Sequence, residues 1–249
     1  MPNARTIAIV QSSYIPWRGY FDLIRAADTF IILDDVQFTK RDWRSRNCIK
    51  TANGVQWLSV PVLTKGRRFQ RILEAQVAGE WADAHWQNIR HAYAKAPWFE
   101  HYGAELHAAY QEVAGLARLS EVNLLLLRKL CALLGITTPL VFSYELLPLE
   151  ALDAMDSSTR LARLTERAGG TLYLSGPSAR AYLDPKPFAS RGIEVRFVDY
   201  GAYPEYQQRH GPFEPAVSAI DLLFNVGEQA REYMVDLRRN SAPLEQAVQ

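Results

Sequence analysis

The chain has 249 residues, with 28 Lys plus Arg against 27 Asp plus Glu and a formal net charge of +1, so no global charge draws it to a nucleic acid. An apolar fraction of 48% is enough to fill a core, yet no apolar run approaches the ~20 residues of a membrane span. Cys48 and Cys131 lack CxxC spacing and exclude a disulfide scaffold, and His85, His91, His101, His107 and His210 lack the compact spacing of a zinc site.

Met1 to Arg5 leads straight into strand-like residues without the charged and apolar regions of an export signal, so the expected location is the cytoplasm. Thr6 to Gln11 reads as a strand, Arg18 to Ala27 as a helix and Thr29 to Leu33 as a second strand that ends at Asp34-Asp35. Strand, turn, helix, strand is the outline of a parallel crossover unit, in which function gathers at the C-terminal ends of strands. Asn53-Gly54 marks a hairpin between a strand near Trp43 to Lys50 and another at Gln56 to Val62. The following Thr64-Lys65-Gly66-Arg67-Arg68 is a basic loop suited to an anion or to plain solvation.

Trp81 to Tyr93, Pro97 to Tyr110 and Ser120 to Leu134 carry helical periodicity, with Ser120 expected as an N-cap and Gly135 as a stop. Cys131 falls in this apolar run and is expected in the core, whereas the polar surroundings of Cys48 could leave it accessible. Strands return at Leu140 to Tyr144, Thr171 to Leu174 and Glu194 to Val198, with helices at Ser158 to Ala168 and Val217 to Leu223. The expected fold is therefore α/β: a mostly parallel open sheet with a central, predominantly helical insertion and an antiparallel hairpin. Residues 1–80 would supply the N-terminal part of the core with the hairpin, 81–138 a helical layer or insertion, 139–240 the rest of the core, and 241–249 a flexible tail.

Three segments carry groups suited to chemistry. Gln11 to Asp22 sets Gln11, Tyr14, Trp17, Arg18, Gly19 and Tyr20 around a helix start, where free N–H groups and the helix dipole favour an anion. Asp34 and Asp35 are candidate catalytic carboxylates, one to accept a proton or hold part of a cation site and the other to orient a loop. Lys40, Arg41, Trp43, Arg44 and Asn47 offer positive charge, a stacking face and an amide for a phosphate or carboxylate ligand. Later, Ser175, Gly176 and Ser178 flank a strand-to-helix turn that would form the opposite wall of one cleft. No P-loop, dinucleotide fingerprint or nucleophile elbow is present.

The blocks Gln11-Ser12-Ser13-Tyr14-Ile15-Pro16-Trp17-Arg18-Gly19-Tyr20-Phe21, Asp34-Asp35-Val36-Gln37-Phe38, Asn47 with Lys50, Tyr173-Leu174-Ser175-Gly176-Pro177 and Asp221-Leu222-Leu223-Phe224-Asn225 resemble the WbqC-like family. That resemblance implies a context of bacterial surface-polysaccharide (O-antigen) biosynthesis, with acyl or aminoacyl transfer to a nucleotide-linked amino sugar. Its partners would be a nucleotide-sugar or an activated acyl donor, with a carrier protein a further candidate; no nucleic acid is expected. Two alternatives stand beside it: nucleotide-dependent activation or nucleotidyl transfer, using magnesium or a nucleotide donor, and a nonenzymatic nucleotide-sugar binding or assembly protein. A more distant comparison with the nucleotidylyltransferase fold meets Trp17-Arg18-Gly19-Tyr20 where that fold has HxGH, so both of its histidines are absent.

Overall fold

The computed structural model describes residues 4–201 and 203–243. The chain opens with β1 (Thr6–Val10), α1 (Arg18–Ala26) and β2 (Thr29–Ile32), each within a residue of its expected bounds. The hairpin strands β3 (Arg46–Thr51) and β4 (Gly54–Ser59) form a separate antiparallel pair about the expected turn, with Cys48 opposite Trp57. Helices α2 (Ala82–Tyr93), α3 (Phe99–Val113) and α4 (Leu119–Leu133) follow. Then come β5 (Leu140–Phe142), the short helices α5 (Ser143–Leu146) and α6 (Leu149–Asp153), α7 (Ser157–Arg167), β6 (Leu172–Ser175), α8 (Lys186–Ala189), β7 (Glu194–Val198), α9 (Ala219–Val226) and β8 (Ser241–Pro243).

Six strands form one sheet in the order β5-β2-β1-β6-β7-β8, parallel except for the antiparallel edge strand β8. Pairing of Ile7 with Thr29 on one side and Tyr173 on the other puts β1 at the centre. The strand order reverses between β1 and β6, and in open α/β sheets such a switch point opens a crevice at the carboxyl ends of the strands.

Alternation along the strands divides the interior into two layers. Ala8, Phe30, Ile32 and Leu174 face one way and share a core with Phe21 and Ile24 of α1, Ile89 of α2, Leu106 of α3, Leu126 and Leu130 of α4, and Leu223 of α9. Ile7, Ile9, Ile31, Tyr173 and Phe197 face the other way and pack on Leu152, Ala162, Leu164 and Phe188. Strands covered on both faces read as near-continuous apolar runs, which is how TIAIV and TFII appear in the sequence. The helical segment thus builds its core together with the sheet.

Three local expectations change. Ser120 does not cap α4, which begins at Leu119 with no side-chain cap; its hydroxyl is turned instead to Asp34. The strand expected through Tyr144 ends at Phe142, where Ser143 starts a helix and bonds Asp35. The tail expected from residue 241 starts with β8, whose Ser241 pairs with Val198, and residues 244–249 lie outside the described residues.

The turn from α7 into β6 runs hard against the central strand. A Cβ added at Gly170 would lie 2.3 Å from Ile7 Cγ1, 2.9 Å from Thr165 Cγ2 and 3.1 Å from the Thr165 carbonyl oxygen. Gly170→Ala should therefore cost about 2 kcal/mol, the usual scale for overpacking a dense core, in urea unfolding. An unchanged midpoint would mean that β1 and α7 are not packed as described.

Candidate functional site

The residues after β1 cross the carboxyl edge of the sheet in a strained turn. Ile15, wholly buried, has φ +35°, a conformation that costs a β-branched residue on the order of 1–3 kcal/mol. The hairpin holds it there: Asn47 of β3 donates through Nδ2 to the carbonyls of Tyr14 (3.2 Å) and Ile15 (3.0 Å), and the Tyr14 N–H donates to the Trp43 carbonyl (3.0 Å). Asn47 Oδ1 is occupied by the Cys48 N–H at 2.8 Å, so every polar atom of this side chain serves the scaffold.

Beside this turn lies a cavity of about 390 Å³. Pro16, Trp17, Tyr20 and Trp43 give it aromatic and apolar walls, with Pro215 and Ala216 closing one side. Ser13, Arg44 and Asn47 are its polar members. Gly19 explains the position of the Trp17 indole: a Cβ there would sit 2.3 Å from Trp17 Cζ2, so only glycine lets the ring lie over the first turn of α1. Arg44 donates from Nη1 to Gln11 Oε1 (2.8 Å), and the Tyr20 hydroxyl donates to the Gln11 carbonyl (2.8 Å). Arg44 lines the cavity, and its buried Nε has no partner among the described residues. Burial raises the Tyr20 pKa, so its hydroxyl stays neutral.

The two candidate carboxylates turn apart. Asp34 is wholly buried and accepts from the Ser12 N–H (2.8 Å), the Ser12 hydroxyl (2.7 Å) and the Ser120 hydroxyl (2.5 Å). Asn123 of α4 extends the chain, donating to Ser12 Oγ and to the Arg44 carbonyl, each at 2.9 Å. Burial raises the Asp34 pKa, and these hydrogen bonds act against it. Asp35 accepts from the Ser143 hydroxyl and from Arg160 Nη1 at 3.4 Å. Neither carboxylate lines the cavity, and among the described residues no group of three His, Cys, Asp or Glu is arranged to hold a metal ion.

The remaining candidates are distributed. Tyr14 is buried behind the turn, its hydroxyl 2.7 Å from both His85 Nδ1 and Tyr110 Oη. Arg18 is buried in α1, donating to the carbonyls of Pro204 (2.8 Å) and Tyr233 (2.9 Å), with its guanidinium 4.5 Å from the Tyr203 ring centre. It thereby fastens residues 203–216 over α1. Lys40 and Arg41 are exposed and line other concavities, while Ser175 is buried and Ser178 exposed at the end of β6, with Gly176 between them; none of these lines the aromatic cavity. Cys48 is buried rather than accessible, and burial pushes its thiol up to about 11.

Several contributors escape a reading of the sequence: Ser120, Asn123 and Ser143 as partners of the buried network, and Pro215 and Ala216 as a wall. Nothing local marks them, because each meets its partner across more than 70 residues of chain. The arrangement can hold a flat or ring-shaped group between aromatic faces, with a guanidinium for a carbonyl, carboxylate or phosphate oxygen.

The family described as the WbqC-like protein family matches residues 11–233, from Gln11 beside the cavity to Tyr233 beneath Arg18. The chain is also similar to the uncharacterized protein Rv1507c of Mycobacterium tuberculosis (strain ATCC 25618 / H37Rv), 48% identical over 232 residues that cover 92% of this chain and 97% of that protein. No solved structure matches the chain.

Removing the Asp34 carboxylate strands three donors in the interior, so Asp34→Ala should lose about 3 kcal/mol of stability in urea unfolding. A loss below about 0.5 kcal/mol would remove Asp34 as the anchor of this site. His85 gives a pH signature. Burial lowers its pKa from 6.5 to about 4, below the unfolded value, so the unfolded chain takes up the proton first. Stability is then full above about pH 6.5 and is lost as the pH falls toward 4. Between pH 7.5 and 4.5 the parent chain should lose about 2 kcal/mol more than His85→Gln. Equal pH slopes in the two proteins would contradict a buried, neutral His85.

Proposed function

Because the chain belongs to the WbqC-like protein family, we propose that it works in bacterial surface-polysaccharide precursor biosynthesis, transferring an acyl or aminoacyl group to a nucleotide-linked amino sugar. The observation that carries this reading is the aromatic-walled cavity that Arg44 also lines. Trp17 and Trp43 supply faces for a sugar or base ring, and Arg44 supplies a charged donor for the acyl carbonyl oxygen as negative charge develops on it. The sugar amine attacks the activated carbonyl carbon; the C–N bond forms, the bond to the leaving group breaks, and the departing group takes the amine proton. The donor thus brings its own activation, and the protein contributes approximation and charge.

In this reading Asp34 and Asp35 act by position. Asp34 fixes the turn that carries Ser13 and Trp17, and Asp35 fixes the start of α5. Gln11 orients Arg44, and Asn47 holds the strained peptide at Ile15. The protein works in the cytoplasm, where nucleotide-sugars and acyl donors meet, and no helix of the described residues is long and apolar enough to cross a membrane. A second reading, a nucleotide-sugar binding or assembly protein, is favoured by one observation: no carboxylate, imidazole or thiol is among the residues lining the cavity.

The purified chain is to be incubated with UDP- and dTDP-linked amino sugars and acyl-coenzyme A, and the products weighed by mass spectrometry. The expected outcome is a sugar nucleotide heavier by one acyl group, with kcat/KM reduced about 100-fold in Arg44→Ala. Saturable binding without turnover would choose the second reading, and absence of any sugar-nucleotide binding would sink both.

A further inference from the structure

The 37–46 segment that gives Trp43 and Arg44 to the aromatic cavity gives Lys40, Arg41 and Arg46 to a different concavity. This one has two basins, of about 470 and 310 Å³, that share Phe38, Lys40 and Thr64. Arg67 and Arg68 line the larger basin, and Arg41 and Arg46 the smaller. No carboxylate lines either, and among the described residues none of these five cations lies within 4.0 Å of one.

Such a concentration of charge is not an average property of this chain. With a net charge of only +1, the remainder of the protein is acidic. Five like charges gathered without partners repel one another, and a bound anion removes that penalty. Some of the cations are also held in place. Arg67 Nη1 donates to Gln76 Oε1 at 2.8 Å, and the Arg46 guanidinium lies 4.3 Å from the Trp57 ring centre. Arg41 has φ +57°, and Ile15 beside the aromatic cavity is the other described non-glycine residue at positive φ. Strain of this kind persists where the surroundings impose it, and it gathers at functional sites.

The larger basin also holds an unpaired polar group. Gln70, only 9% exposed, lines the larger basin and donates through Nε2 to the Leu63 carbonyl at 2.9 Å, while its Oε1 is buried with no partner. An acceptor without a partner at this place can take a hydroxyl donor of a ligand. Two joined basins meeting at Lys40 suit two joined phosphates, and Gln70 suits a sugar hydroxyl attached to them.

We propose that Lys40, Arg41, Arg46, Arg67 and Arg68 form a second ligand site, which binds the diphosphate of a nucleoside diphosphate or of its sugar ester. The site is independent of whether acyl transfer takes place in the aromatic cavity. A diphosphate can also belong to a lipid headgroup, and the experiment separates the two sources.

Full-length protein is titrated by calorimetry at low salt with inorganic pyrophosphate, with UDP, and with phosphatidylcholine vesicles containing a long-chain prenyl diphosphate. Saturable binding of pyrophosphate and UDP is expected, weakened at least tenfold in Lys40→Ala and in the Arg67→Ala/Arg68→Ala double variant. Lys129→Ala, which removes a remote surface cation, should leave the affinity within twofold. All these side chains lie outside the core, and thermal unfolding of each variant confirms that it folds. The proposal is overturned if pyrophosphate and UDP do not bind, if only the vesicles bind, or if Arg44→Ala abolishes UDP binding while the double variant retains it. That last result would put the diphosphate in the aromatic cavity.

Discussion

The carboxylate of Asp34 joins the sheet, the turn after β1 and the helical layer at one buried point. It sits just beyond β2, at the carboxyl edge of the sheet, and takes hydrogen bonds from the turn after β1 through Ser12 and from α4 through Ser120. Its backbone carbonyl accepts from Leu73, and Asn123 links Ser12 to the Arg44 carbonyl. One buried carboxyl group thus fixes the relative positions of sheet, helical layer and hairpin segment. Placing a carboxyl group in the interior is expensive unless it is hydrogen-bonded, and three donors serve it here. Precision at the cavity follows, because Ser13, Trp17 and Arg44 stand on the segments that this carboxylate ties together.

Strain and restraint meet in the same turn. Ile15 would relax from its positive φ if Asn47 did not hold the adjacent carbonyls, and Asn47 is itself fixed by pairing in β3. The hairpin is therefore more than an excursion from the sheet. It grips the turn at the switch point and presents Trp43 and Arg44 to the cavity, while the same stretch of chain turns Lys40, Arg41 and Arg46 toward the basic basins. Arg18 does comparable work on the opposite side, clasping residues 203–216, of which Pro215 and Ala216 complete the wall.

Much of the fold could be read from periodicity and turns. The apolar runs at Thr6 and Thr29, the Asn53-Gly54 turn and the amphipathic helices all appear where local pattern demands, because each depends on neighbours within a few residues. The site was legible as a set of segments but not as an arrangement. Ser120 has the local look of a helix cap, yet its hydroxyl serves a carboxylate 86 residues away. Lys40, Arg41 and Arg44 read as one basic strip, yet an irregular segment has no period to reveal that they face different concavities. Arg18, expected as a ligand contact, lies among aromatic rings and carbonyls from the far end of the chain, which no local pattern announces.

The central position of β1 has a further consequence for how the protein comes into being. Its partner β6 pairs Leu172 with Thr6, so β1 waits for a segment far along the chain before both its edges are covered. Ile7 and Ile9 remain without α7 and α8 above them during that interval. Synthesis at roughly 5–20 residues per second makes the interval long compared with collapse of the chain. Until β6 and the helices that follow β5 are made, β1 thus has one open strand edge and the sheet one bare face, the kind of surface through which unfinished chains associate.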